Sequence, residues 1–451
     1  MKSDLAKDYL KLAATAAISR IAFLLIAKYS SLQHQPFDKS TQIYETKSPF
    51  NFLNSWDSVH FYNIAENGYT AEHLLPFFPL LPLISNLLNF YDCLVTGIFI
   101  NNISFIISVL ILYKTSIQYF SRRTSIISCL FYIFNPASII YSSLYCESLF
   151  ALVFLIGFFY AVNNRMLKSS ILFSLSCLLR SNGIVFILFL KTLYFPIVLL
   201  PLCLFQLHSL LLIWKAKCSF KLFVPYSYVQ KHYFNQGFLK FLTPNNTPNI
   251  IIGLPIILFS IFILQVFYTD HLSLNENSLK SKYTLGDSED DKYGKNTRDF
   301  HKHLKDQEKS KEKLNICCSK NDEKDRNNKF HSVTDKKDKI VTKVQRLLLL
   351  KHIVLSKLLR KSFLSDPFSA DPKNSVLKLS LILAFQVFVL VFFIHWNIAM
   401  RFISYNPFIY WSSALLSQKH FNSSSCKIFI GFFSIYGIIY AVMFGCFYPP
   451  A

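Results

Sequence analysis

Residues 93–113 read CLVTGIFINNISFIISVLILY, 21 consecutive positions without a charged side chain. A helix rises about 1.5 Å per residue, so such a run reaches across a hydrocarbon core about 30 Å thick. Working outward, comparable runs lie near 9–29, 124–144, 146–162, 169–190, 192–214, 249–268, 376–396, 402–417 and 427–448. The runs at 146–162 and 402–417 are short, and read as half-spans or as partners of a neighbouring segment. Of the 451 residues, 52% are hydrophobic and 16% charged, against about 25% charged in a soluble domain. One stretch holds most of that charge. Residues 269–373 carry 24 Lys/Arg and 17 Asp/Glu, leaving 23 basic and 9 acidic groups for the other 346 residues. That is too few to solvate a globular surface. An ordinary cytosolic enzyme, a disordered chain and a secreted disulfide scaffold are excluded. The expected fold is an all-α polytopic membrane protein of about 8–10 transmembrane helices. Its parts are an N-terminal transmembrane region, 1–268, a hydrophilic insertion, 269–373, and a C-terminal transmembrane region, 374–451.

The net charge of +21 includes +14 outside the insertion. Those basic groups mostly sit at the ends of apolar runs, where they act as orientation signals rather than a nucleic-acid surface. The ten cysteines form no C-x-x-C pair, and the adjacent Cys317 and Cys318 have no zinc spacing, so no metal or redox chemistry is read from them. Lys2, Lys7, Lys11, Arg122, Arg123, Arg165 and Lys168 mark cytoplasmic ends. Residues 30–92 and the turn at Cys146–Glu147 then lie on the other side, the lumen of the endoplasmic reticulum in a eukaryote. The first run, with Arg20 inside it, reads as an uncleaved anchor rather than a cleaved signal peptide.

Beyond Lys168 two topologies remain. If 169–190 and 192–214 both cross, 215–248 is cytoplasmic, as Lys215, Lys217 and Lys221 favour. If 169–214 crosses an odd number of times, 215–248 and Arg401 are luminal and 269–373 is cytoplasmic. The break at Arg180-Ser-Asn-Gly183 suits the odd count. Residues 269–345 have the composition of a disordered segment. The basic apolar stretch 346–361 suits an amphipathic helix on a membrane face or a helix packed on the bundle, equally well.

The loop 30–92 contains Ser55-Trp56-Asp57-Ser58-Val59-His60-Phe61, continuing to Tyr69. As a helix at about 100° per residue, Asp57, His60, Phe61, Ile64 and Gly68 share a face, with Glu66 opposite Asp57. A carboxylate beside an imidazole and aromatics suits a general base acting on a sugar hydroxyl. An interfacial helix with Asp57 as its N-cap explains the same residues, and on composition alone is the stronger reading. Pro76-Phe77-Phe78-Pro79-Leu80-Leu81-Pro82 suits an apolar wall or a re-entrant elbow. Asn135-Pro136 interrupts the third run, and Glu147 begins the next helix, where a carboxylate meets the helix N-terminus favourably. Arg180 and Asn182 lie inside an apolar run, where charged groups face a bundle interior or a wet cavity. Arg401 closes another and suits snorkelling or phosphate binding. These are parts for displacing an anionic leaving group from a lipid carrier, although a lipid or solute transporter also needs buried polar groups. A non-catalytic scaffold is a third possibility.

In order along the chain, several short pieces form a recognisable set: Trp56 to Phe61, Ile64 to Tyr69, Phe78-Pro79-Leu80, Phe134 to Ser138, Glu147 to Leu152 and Arg180 to Gly183. Pro225 to Gln230, Gly237-Phe238-Leu239, Pro248-Asn249, Arg401-Phe402 and Pro407 to Trp411 follow. The set resembles the GPI mannosyltransferase 2 family, which adds the second mannose of the GPI anchor. The resemblance implies a GT-C-like fold with a luminal active site in the endoplasmic reticulum membrane. It implies inverting α-1,6 transfer from dolichyl-phosphate mannose, as co-substrate, to the mannosyl-glucosaminyl-acylphosphatidylinositol intermediate, with no cofactor and no metal. Membrane lipids are implied partners, nucleic acid is not, and a small accessory membrane subunit is left open. Carried over by residue, Asp57 is the base, with Glu147 and Asn135 holding sugar hydroxyls or the base. Trp56 and His60 shape the acceptor site. Arg180, with Asn182 beside it, and Arg401 are placed at the dolichyl phosphate. The resemblance also favours luminal 225–248 and a luminal Arg401, hence the second topology, with Asn245-Asn-Thr247 as a glycosylation sequon. The long insertion 269–373 is the departure from the family pattern.

Overall fold

A computed structural model describes residues 2–34, 37, 48–217, 222–284, 372–419, 424–446 and 448. All regular structure among them is helical. The chain divides into two units, Met1–Gln265 with Phe368–Ala451, and Val266–Pro367. Of the second, the described part is the continuation of one helix to Thr284. That helix runs past the expected end of its span at 268. The rest of the insertion to 371, including the amphipathic stretch 346–361, lies outside the described residues.

Five helical stretches among the described residues are long and apolar enough to cross a membrane: Asp4–Gln33, Cys93–Ser116, Thr192–Lys217, Pro244–Thr269 and Asn374–Phe393. Three shorter apolar helices accompany them, Glu147–Val162, Met166–Cys177 and Phe429–Gly445. In chain order the helices are α1 (Lys2–Gln33), α2 (Asp57–Asn67), α3 (Leu80–Leu88), α4 (Cys93–Ser116), α5 (Arg122–Ile133), α6 (Glu147–Val162) and α7 (Met166–Cys177). Then come α8 (Phe195–Lys217), α9 (Pro225–His232), α10 (Thr247–Thr284), α11 (Pro372–Phe393), α12 (Ala399–Ile403), α13 (Pro407–Lys419) and α14 (Ser424–Gly445).

Two expected spans are broken at a proline. The run 124–144 is not one helix. Asn135-Pro136 stops α5 at Ile133, because proline has no N–H to give and pushes its predecessor out of the α region. The run 402–417 likewise divides at Pro407 into α12 and α13. Breaks of this kind release backbone carbonyls that lipid cannot solvate. Arg20 of α1, 2% exposed, answers the first. Its guanidinium donates to the Ile133 carbonyl at 2.9 Å and the Ser138 carbonyl at 2.5 Å, and lies 4.0 Å over the Phe105 ring. Asn101 of α4 donates to the carbonyls of Ser143 and Tyr145 at 2.6 and 2.8 Å. Together they fix the turn that leads into Glu147.

The basic groups meet at one end of the bundle. Arg122 pairs with Asp8 at 2.5 and 2.7 Å. Lys114 lies over Phe159 and Lys168 over Tyr160, at 4.7 and 5.6 Å. The twenty-four residues of α4 carry the chain from the other end to this one. α7 rises away from it, and the chain then breaks: Arg180 is extended and Ser181–Phe189 is a 3₁₀ segment. That segment folds back along α7, with Phe186 against Phe173 at 5.2 Å and Phe189 against Phe158 at 5.1 Å. Glycine is required at 183, since a Cβ there would stand 2.8 Å from the backbone of Ser176 and Cys177. α8 then returns, so that Phe205 meets Phe78 at 5.0 Å and Ile213 packs with Leu75 and Val229. Lys217 pairs with Glu72 at 3.1 Å. Residues 222–246 therefore share an end of this unit with the 48–92 loop, the arrangement that the odd-count topology requires.

Candidate active site

The loop that begins at Ser48 enters α2 by an unusual turn. Trp56 has φ 54° and ψ −119°, a left-handed conformation that costs a bulky residue about 1–3 kcal/mol. Its indole N–H donates to the Tyr448 carbonyl at 3.3 Å, and the Tyr448 ring stacks on Phe37 at 5.0 Å. Asp57 is the first helical residue and not the N-cap, and no side chain caps this helix. The structure thus removes the simplest structural explanation for its carboxylate. Phe61 and Ile64 are buried and Glu66 is exposed, the arrangement the helical spacing requires.

Four charged side chains from distant parts of the chain form a continuous series. Asp57 Oδ2 accepts from Arg401 Nη2 at 2.5 Å. Arg401 Nε donates to Glu147 Oε1 at 2.7 Å, and Arg180 Nη1 donates to the same oxygen at 2.5 Å. Exposure falls from 32% at the Asp57 side chain to 16% at Arg180, 6% at Arg401 and 2% at Glu147. Arg401 also lies 4.6 Å over the Tyr145 ring. Burying charge is costly unless every charge is paired, and this series is balanced: two carboxylates, two guanidinium groups. Glu147 stands at the centre, where the turn held by Arg20 and Asn101 delivers it.

Beside the series is a cavity of about 250 Å³. Asp57, Arg180, Asn182 and Arg401 line it, together with Gln230 of α9 and His395. Pro76, Phe77 and Phe78 form one wall, so the proline-rich stretch does supply an apolar surface. Phe234 and Phe402 contribute to others. Burial pushes the His395 imidazole below its usual range, so it faces the cavity uncharged near neutral pH.

The remaining expected site residues are placed differently. Glu147 does not line the cavity. Its Oε1 accepts from both arginines, and its Oε2 meets Cys146 Sγ at 3.7 Å. Trp56 and His60 flank the cavity without lining it. His60 stacks on Phe77 at 4.5 Å and meets His73 edge-on at 5.6 Å. Burial lowers its pKa, against the opposing pull of Asp57. Asn135 is 1% exposed, and its amide is spent locally, donating to the Tyr132 carbonyl at 2.6 Å and accepting from Ala137 N at 2.8 Å. It builds the turn that ends α5 and has no face on the cavity. Sequence reasoning gave no role to Gln230, His395 or Tyr145. Gln230 sits within the Pro225–Gln230 piece, which was the available signal. Among the described residues no group of three or more His, Cys, Asp or Glu is placed to hold a metal ion.

The sequence is similar to those of known proteins. The sequence profile described as Mannosyltransferase (PIG-V) matches residues 24–200 and 196–451. GPI mannosyltransferase 2 of Schizosaccharomyces pombe is 31% identical over 266 residues, 51% of this chain and 57% of that protein. GPI mannosyltransferase 2 of Yarrowia lipolytica is 30% identical over 245 residues, 48% of this chain and 69% of that protein. The human GPI alpha-1,6-mannosyltransferase 2 is 25% identical over 305 residues, 52% of this chain and 62% of that protein. The aligned regions thus span about 57–69% of these three relatives. No solved structure matches. Because the profile covers nearly all of the sequence, the chain belongs to the mannosyltransferase (PIG-V) family.

Proposed function

We propose that this chain transfers the second mannose of the GPI anchor, in α-1,6 linkage, from dolichyl-phosphate mannose to the mannosyl-glucosaminyl-acylphosphatidylinositol intermediate. The observation that carries the reading is the charged series Asp57–Arg401–Glu147–Arg180 beside the cavity. An acceptor hydroxyl oxygen attacks the anomeric carbon of the mannosyl group on the face opposite the phosphate. The new C–O bond forms as the bond to the phosphate oxygen breaks. The electron pair leaves with dolichyl phosphate, and the hydroxyl proton passes to Asp57. A β-linked donor gives an α product by this single inversion.

Each group has a physical task. Arg401 holds Asp57 Oδ2, which fixes the carboxylate and directs Oδ1 to the acceptor. Arg180 is the more exposed of the two cations, and its fork suits the departing phosphate. Fixed cations aimed at developing charge stabilise the transition state without reorganisation. Glu147 is a positioning residue that keeps both arginines in place. The cavity is small beside the usual ligand pocket of roughly 300–1,000 Å³, so it suits a sugar while the lipid chains stay in the membrane.

The site lies at the end of the bundle away from Asp8, Arg122 and Lys168. By the positive-inside tendency that end is luminal, and the protein works in the endoplasmic reticulum membrane. In cells lacking their own second-mannose transferase, this chain is expected to restore GPI-anchored proteins at the surface. Asp57→Asn is expected to abolish rescue at normal abundance. Full rescue by that variant removes Asp57 from the mechanism.

A further inference from the structure

Two amide side chains on the cavity carry buried polar atoms that have no partner among the described residues. Both amide atoms of Asn182, and Oε1 of Gln230, are buried and make no hydrogen bond. Buried polar atoms are almost always paired, so each exception asks for an explanation. These residues lie on different elements. Asn182 opens the 3₁₀ segment that folds back on α7, and Gln230 belongs to α9. Neither is loosely held. Gly183 clamps the first against the end of α7. α9 is tied down by Gln206 Oε1, which accepts from Tyr226 N at 3.1 Å, and by a hydrogen bond from Lys217 to Tyr228. Gln236 N closes the following turn on the Gln230 carbonyl at 3.0 Å. Packing and hydrogen bonds therefore hold the segments that carry these unanswered amide atoms.

Amides and guanidinium groups select different ligand atoms. A phosphate oxygen only accepts, so it suits Arg180 and Arg401 and is repelled by an amide oxygen. A sugar hydroxyl donates and accepts at once, as an amide does. We propose that Asn182 and Gln230 are the specificity residues of this cavity, hydrogen-bonding the ring hydroxyls of a hexopyranose while the arginines take the phosphate. The inference rests on the glycosyl-transfer reading above and deepens it. The sugar is either the mannosyl group of the donor or the terminal mannose of the acceptor.

The test uses the full-length protein in lipid nanodiscs, with short-chain polyprenyl-phosphate mannose, the matching polyprenyl-phosphate glucose and a synthetic acceptor glycolipid. Gln230→Met and Asn182→Leu keep side-chain bulk and remove the polar atoms. Each is expected to lower kcat/KM about tenfold or more, the scale of one lost hydrogen bond. The loss should appear in the KM of one substrate. A donor-side effect with weakened mannose-over-glucose preference assigns the donor sugar; an acceptor-side effect assigns the acceptor. Binding gives a second readout that needs no turnover. Wild type should be stabilised more by a sugar-bearing lipid than by its counterpart lacking the sugar, polyprenyl phosphate for the donor and the sugar-free phosphatidylinositol for the acceptor. Both variants should lose that difference. Unchanged KM values and unchanged preference in folded variants overturn the proposal, even while Asp57→Asn is inactive. A wild type that binds the sugar-bearing lipid selectively but transfers nothing overturns the transferase reading and leaves this one standing.

Discussion

Glu147 shows how a residue reads differently alone and in place. In the sequence it is a helix-starting carboxylate, equally suited to capping or catalysis. In the fold it holds two arginines and has 2% of its side chain exposed. Glu147→Gln leaves two guanidinium groups around a neutral amide. Removing one partner of a buried ion pair costs about 3–5 kcal/mol, so a clear fall in melting temperature is expected together with loss of transfer. A variant that melts like wild type argues against the balanced series. Two histidines give a pH signature. Burial depresses the folded-state pKa of His60 and His395 below the ordinary 6.5. Below that value the unfolded chain takes up protons that the folded chain refuses. Stability is therefore complete above about 6.5 and falls as the pH drops toward the folded values. Melting curves in nanodiscs at stepped pH, for wild type and for His60→Asn with His395→Asn, should show a shallower acid loss in the double variant.

At the scale of the element, the decisive feature is the 3₁₀ segment Ser181–Phe189. Runs of this helix longer than three or four residues are uncommon. Here the run persists because Phe186 and Phe189 pack into the aromatic layer of α6 and α7, with Phe154 4.3 Å from Phe186. It is also the element that turns the chain between α7 and α8, directly after Arg180. Gly183→Ala should force it off α7, because the obstructing atoms are backbone and cannot rotate away. The expected cost is about 1–3 kcal/mol, the usual range for overpacking. Transfer should fall further than stability does, since Arg180 and Asn182 move with the segment. A melting temperature and kcat equal to wild type would show that the contact relaxes freely. The broken helix near Arg180 was legible from its polar residues, but the direction of the following chain was not. A fold-back and a full crossing have the same local composition.

For the whole molecule, orientation is the property that most needs measurement. Asn245 is exposed in the loop that shares an end with Asp57, and Asn245-Asn-Thr247 is a sequon. If that end is luminal, a glycosidase-sensitive mass shift is expected and should vanish in Asn245→Gln. A sequon tag inserted after Lys168, at the basic end, should stay unmodified. Modification there but not at Asn245 would invert the orientation. The sequence by itself determined that this is a multispan helical membrane protein, where its apolar runs lie, and which end of the early helices is basic. Hydrocarbon transfer is nearly a sum over neighbouring residues, so such properties are written locally. It also flagged Asp57, Glu147, Arg180 and Arg401, because charge in an apolar setting is conspicuous anywhere. Only the tertiary structure decided that they meet. Asp57 and Arg401 are 344 positions apart. Whether two such groups meet depends on how often the chain crosses between them, which no local pattern records. The same is true of Asn135, whose amide went to its own turn, and of Gln230, an ordinary polar residue until α9 placed it on the cavity.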